Sequence, residues 1–243
     1  NLFLCLAFLS FTHCATKTLN DSQRAAYHLQ MGNGHLRKGN YPAALGEFLR
    51  ANELDPGNAL INNQLGLAYF VRNRMDLAEQ YFRSALKINE KFTEARNNLG
   101  RTLIEEKKYK AALLELKIAS RDLVYGAPEK TYANLGTAYF YLQDYNNAEK
   151  SFLEALRLRR NNCSVNMYYG RTLYEIGAYE KAALALDQAI DFCKTTKIEE
   201  PYYFSALTYL KMGSKDQAIE RLEQQIAEFP NGQYKEKSLS LLN

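Results

Sequence analysis

The chain has 243 residues, 31 Lys and Arg against 27 Asp and Glu, a net charge of +4 and 47% hydrophobic residues. That length suits one extended domain or two small ones with a real core, and the apolar content excludes a globally disordered chain. The mild positive charge is nowhere gathered into a basic tract, so no nucleic-acid partner is expected.

Residues Leu2 to Phe11 are an almost unbroken apolar run in the opening stretch LFLCLAFLSFTHCATKTLND. A bilayer-crossing helix needs roughly 20 apolar residues, twice this length, but the run fits the apolar core of a secretory signal. It ends at Cys14, followed by the small Ala15 and a polar stretch. This resembles a bacterial lipobox, in which the cysteine is acylated and becomes the new N-terminus, with Phe11 and His13 where Leu and a small residue are usual. The alternatives are type I cleavage, for which no A-x-A-like site is evident nearby, and an uncleaved apolar tail. Residues 1–14 are therefore expected to be a signal with Cys14 as the lipid attachment point, and residues 15–24 a linker.

From residue 25 the chain repeats itself. In the first unit Gly32 is followed by Ala44, Phe48 and Ala51, and Pro56 closes the unit. The second carries Gly66 in GLAYF, then Ala78, Phe82 and Ala85; the third has Gly100 in GRTLI, then Ala112, Leu116 and Ala119. The fourth has Gly136 in GTAYF, then Ala148, Phe152 and Ala155; the fifth has Gly170 in GRTLY, then Ala182, Leu186 and Ala189. In the sixth, Ala206 stands for the glycine and Gln225 for the last alanine, around Ala218 and Leu222, and Pro230 closes it. The glycines step by 34, 34, 36 and 34 residues, and Ala206 follows after 36.

The pattern resembles the tetratricopeptide repeat, a helix–turn–helix unit of about 34 residues. The resemblance implies an all-α, right-handed superhelical solenoid of six units, at 25–58, 59–92, 93–126, 129–162, 163–196 and 199–232. The glycine of each first helix is expected to meet the alanine of the second where the two cross most closely, since anything larger would overpack. The Phe or Leu is expected to fill the groove against the next unit. Two extra residues fall around YGAP and KTTK, read as longer turns with Pro128 and Pro201 at or near the next helix start. Residues 233–243 are expected to form a capping helix over the last apolar face.

Cys163 and Cys193 fall at the start of the first helix and the end of the second helix of the fifth unit. Antiparallel helices bring those ends together, so a disulfide is allowed, and it would suit an oxidising periplasm. Two separate buried thiols are the other reading.

Catalytic chemistry is hard to find. His28 and His35 lie seven apart on one helical face, but they occupy packing positions filled elsewhere by Tyr132 or Tyr69, so no metal is expected. GNGH lacks the spacing of a phosphate loop, and no Ser or Cys nucleophile comes with a histidine partner. The acid pairs Glu105–Glu106 and Glu199–Glu200 read as solvated surface. Neither enzyme activity, a cofactor nor a small-molecule substrate is expected.

What remains is a binding surface. In this fold the first helices line a concave groove, here with Asn33, Asn63, Asn97, Asn98, Arg101, Asn134, Phe140, Tyr141, Tyr168, Arg171 and Tyr174. Asparagine amides both donate and accept, so a ladder of them can hold an extended backbone without reading its side chains. The carboxylate clamp of cytosolic co-chaperone repeats is not reproduced, because Leu29, Glu94 and Asn98 occupy its basic places.

Six such repeats, an export signal ending at a cysteine and a late cysteine pair together look like the type IV pilus pilotin family. These are outer-membrane lipoproteins built of six tetratricopeptide repeats. The stretch from Leu19 to Phe70, LNDSQRAAYHLQMGNGHLRKGNYPAALGEFLRANELDPGNALINNQLGLAYF, carries the likeness best. The resemblance implies a secretin subunit as partner, an outer membrane reached from the periplasmic face through a lipid on Cys14, and a role in secretin assembly. The alternative is a periplasmic adaptor for another envelope assembly machine or for cell-wall enzymes.

Overall fold

The computed structural model describes residues 19–242, so the expectations for residues 1–14 and for Cys14 lie outside the described residues. Thirteen helices and no strand occur among the described residues. They pair as α1 (Asp21–Arg37) with α2 (Tyr41–Leu54), α3 (Ala59–Phe70) with α4 (Met75–Ile88), and α5 (Thr93–Glu105) with α6 (Tyr109–Ala119). Next come α7 (Pro128–Tyr141) with α8 (Tyr145–Leu158), α9 (Cys163–Glu175) with α10 (Tyr179–Cys193), α11 (Glu200–Lys211) with α12 (Lys215–Glu228), and last α13 (Lys235–Leu242). The first helix begins at Asp21, a turn ahead of residue 25, because Asn20 caps it in a capping box with Gln23. Each helix packs on its chain neighbours, and the first helices of successive units also touch one another, from α1 and α3 through to α9 and α11. The result is an all-α superhelical solenoid with the first helices along its inner face.

The repeating glycines answer to a partner other than the expected alanine. A Cβ on Gly32 would come within 2.4 Å of Phe48, and on Gly136 within 2.5 Å of Phe152. Gly66 faces Phe82, Gly100 faces Leu116 and Gly170 faces Leu186 in the same way. The small residue thus makes room for the large one of its own unit. From there the large residue reaches the next unit, as Phe48 does in one buried cluster with Ile61 and Leu65. The six repeating alanines from Ala44 to Ala218 are fully buried.

The turn inside each unit has one geometry. Gly39, Asn73, Lys107, Gln143, Gly177 and Gly213 all take positive φ, between 58° and 79°. The next residue donates its N–H back five positions, as Asn40 to His35 O (3.0 Å) and Asp144 to Tyr139 O (3.0 Å). This is the Schellman closure of a helix, and the same residue then starts the second helix.

Cross-helix polar pairs explain several residues that had looked idle. His28 Nδ1 lies 2.7 Å from Glu47 Oε2, and Arg96 Nη1 lies 2.6 Å from Glu115 Oε2, at the equivalent places of units one and three. Both link the first helix to the second. The hydrogen bond from His28 holds the Glu47 carboxyl below its usual range.

The acid pairs need correction, since three of the four carboxylates are half-buried and partnered. Glu106 stands with Glu79 around Lys108, whose Nζ is 2.8 Å from Glu79 and 3.1 Å from Glu106. Glu200 pairs with Arg171. Glu199 accepts from Gln225 Nε2 at 3.0 Å and from the Gln233 N–H at 2.7 Å. Gln225, fully buried where other units have alanine, is thereby explained: it ties the last pair of helices to the segment leading into α13. Glu105 alone is exposed as expected.

Pro128 opens α7, and Pro201 lies in the first turn of α11. The Cys163 and Cys193 sulfurs stand at bonding distance, 2.05 Å, with Cα atoms 4.9 Å apart.

A concave groove across the third to fifth repeats

The inner face opens into a cavity of about 750 Å³ spanning α3 to α9. Asn98, Asn134, Arg101, Tyr109, Tyr141 and Tyr168 are among the residues that line it. Leu67, Ile104, Ala133, Phe152 and Val165 add an apolar part to its lining.

The asparagines form a ladder, and it has a direction. Gln64 Nε2 donates to Asn33 Oδ1 (2.7 Å), Asn98 Nδ2 to Asn63 Oδ1 (3.1 Å), and Asn134 Nδ2 to Asn97 Oδ1 (3.1 Å). Each rung crosses one unit boundary, and in these three amide pairs the later residue donates, while Asn63 Nδ2 also donates forward to Glu94 at 3.4 Å. Asn63 is completely buried and positions Asn98, while Asn97, almost completely buried, holds Asn134 and still reaches the cavity wall. The half-buried Asn98 and Asn134 have spent one N–H on the ladder, and their carbonyl oxygens are left as acceptors.

Aromatic residues continue the ladder into units four and five. Tyr109 and Tyr141 stack with centroids 4.9 Å apart, and the Tyr141 and Tyr168 hydroxyls are 2.9 Å apart. Burial, then the bond to Tyr141, pushes the Tyr168 hydroxyl far up, so it stays protonated. Phe140 is buried against Tyr168 at 5.4 Å. Arg171 lies between the Phe140 and Phe204 rings, 4.7 and 4.4 Å from their centroids, and Arg101 covers Phe70 at 4.3 Å.

Of the residues read from the sequence, Asn97, Asn98, Arg101, Asn134, Tyr141 and Tyr168 reach the cavity. Asn33, Asn63, Phe140, Arg171 and Tyr174 are not among its lining residues. Arg171 is locked between rings, and Tyr174 packs on Phe204 at 6.1 Å. Sequence reasoning missed Tyr125 and Glu129, which line the cavity together with Glu94. Burial, with Glu94 and Glu129 adding to it, pushes the Tyr125 hydroxyl up to about 12. Tyr125 belongs to the extra turn after the third unit, where no repeat position could place it.

Tetratricopeptide repeat profiles match residues 29–91, 129–162 and 199–231, in register with the helix pairs. The chain is a tetratricopeptide-repeat protein. This tetratricopeptide-repeat chain is 32% identical over 162 residues to the type IV pilus assembly protein PilF of Pseudomonas aeruginosa, a match covering 67% of the chain and 64% of that protein. It therefore spans slightly less than two thirds of that relative. Its fold matches a solved structure of Pseudomonas aeruginosa PilF with a TM-score of 0.79 and 24% identity, over 90% of this chain and 99% of that one. It also matches PilW, a widely conserved type IV pilus biogenesis factor, with a TM-score of 0.80 and 20% identity, over 89% and 99%. Both likenesses speak to the repeat fold.

Proposed function

We propose that this tetratricopeptide-repeat protein acts as a pilotin in type IV pilus biogenesis. It is a non-catalytic lipoprotein that helps secretin subunits assemble in, or enter, the outer membrane. The observation that carries the reading is the 32% identity to PilF, a type IV pilus assembly protein.

In this reading a lipid on Cys14 holds the solenoid at the periplasmic face of the outer membrane. The groove holds an extended segment of a secretin subunit, whose backbone N–H groups meet the Asn98 and Asn134 carbonyl oxygens. Because the ladder fixes these side chains before the segment arrives, little rotamer freedom is left to lose on binding. Tethering raises the local subunit concentration and favours ring formation, so no turnover is required. In the oxidising periplasm Cys163 and Cys193 are joined as a disulfide.

The test is a blot for heat-resistant secretin oligomer in wild-type cells, a deletion strain, and strains carrying Cys14→Ala or Asn134→Ala/Tyr141→Ala. The oligomer should vanish on deletion and fall sharply in both substituted strains. An oligomer untouched by deletion overturns the pilotin reading.

A further inference from the structure

The outward face of α6 and the turn after it carry an apolar tip within a basic surround. Leu114 and Ile118 are 68% and 49% exposed, and Leu123 and Val124 are 95% and 92% exposed. Lys110, Leu114, Lys117 and Ile118 are spaced along one face of the helix, and Arg121 follows in the turn; all three cations are exposed. Of the two acids of the stretch, Glu115 is paired with a cation of α5, while Asp122 keeps its charge at the turn. Glu115 takes Arg96 at 2.6 Å, and Asp122 accepts from the Thr93 hydroxyl and, at 3.1 Å, from the Val124 N–H. This surface therefore presents positive charge around apolar side chains.

We infer that this surface is a membrane contact: Leu123 and Val124 enter the headgroup region of an anionic bilayer, and Lys110, Lys117 and Arg121 meet its phosphates. Three features favour a bilayer over a protein partner. The tip protrudes, and a fluid apolar medium receives a protrusion without needing a shaped pit. Two of its backbone donors are already taken, because Asp122 accepts the Val124 N–H through its side chain and the Tyr125 N–H through its carbonyl at 3.4 Å. The tip thus leaves water without stranding these donors. The net charge is positive, three exposed cations against the one unpaired Asp122 carboxylate, as attraction to anionic lipid requires. Tyr125, half-buried at the groove edge, holds the tip to the solenoid. The inference stands whether or not Cys14 carries a lipid.

The sequence contains no tryptophan, so Val124→Trp in the full chain gives a single fluorophore at the tip. With vesicles of phosphatidylglycerol and phosphatidylcholine its emission should shift to shorter wavelength and be quenched by acyl-chain-brominated lipid. Pure phosphatidylcholine should act weakly. Adding Lys110→Glu, Lys117→Glu and Arg121→Glu should weaken partition by about a hundredfold or more, since each cation near an anionic surface is worth roughly fivefold. A matching Tyr27→Trp probe, on exposed surface of the first repeat, should stay unquenched. This control separates tip insertion from mere tethering by residues 1–14. The inference is overturned if Trp at 124 stays unquenched while the chain sediments with vesicles, or if charge reversal leaves partition unchanged. A blue shift that grows with protein concentration without lipid would give the tip to a second copy. One induced by soluble polyglutamate but not by vesicles would give it to an acidic protein.

Discussion

Gly136 and Phe152 occupy one space: a Cβ on the glycine would lie 2.5 Å from the phenylalanine ring. The contact lies within the fourth unit, between α7 and α8, and it recurs in the first five units. Gly136→Ala should therefore cost about 1–3 kcal/mol by overpacking, read as a lower urea midpoint. Combined with Phe152→Leu, the loss should be less than the sum of the two single losses, because the two residues compete for one volume.

The positive φ inside each unit makes a test of opposite sign. Gln143 holds φ 60° with a side chain that disfavours it, whereas Gly177 holds φ 79° freely. Gln143→Gly should raise stability by about 0.5–1 kcal/mol, and Gly177→Ala should lower it by about 1–2 kcal/mol. Equal, near-zero changes in thermal melting would show that neither turn is strained.

Two carboxylates around Lys108 titrate in opposite directions. Burial disfavours the Glu79 charge, but hydrogen bonds from Lys108 and Arg83 outweigh it and hold its pKa at about 2, against an ordinary 4.5. Its contribution to stability is full above pH 4.5 and fades as the pH falls through 2. Glu106 is raised above 4.5 by burial and by Glu79, so it opposes folding at neutral pH, and that penalty disappears below 4.5. Glu106→Gln should raise the melting temperature at neutral pH, with the gain vanishing in acid. A gain that persists at pH 3 would contradict this account.

The sulfurs of Cys163 and Cys193 close a loop with a sequence separation of 30 residues. If they are bonded, reduction should lower stability by about 3–4 kcal/mol on the loop-entropy account. Urea unfolding with and without dithiothreitol decides it; identical midpoints would mean two separate thiols.

The repeat was legible because its signal is steric and local to the chain. A glycine, an alanine and a large apolar residue at fixed spacing announce two helices crossing closely, whatever else the unit contains. The partner of the glycine was not legible, since Ala148 and Phe152 are both within reach of Gly136 and only coordinates choose. The shared turn geometry was half hidden, because Asn73, Lys107 and Gln143 adopt the φ that glycine advertises at Gly39.

The groove divides in the same way. Asn98 and Asn134 could be read from position along the first helices. That Asn63 and Asn97 hold them by hydrogen bonds could not, because one amide looks like another until its neighbours are placed.

The sequence by itself determined a six-unit helical solenoid, its register and its place among tetratricopeptide-repeat proteins. Period and residue size along one chain are enough for that. Only the tertiary structure decided the direction of the amide pairs, the entry of Tyr125 into the groove, the partnering of Glu199 by Gln225 and Gln233, and the exposed tip at Leu123 and Val124. Each of these depends on contacts between units or on a turn outside the repeat register, where spacing along the chain no longer specifies distance in space.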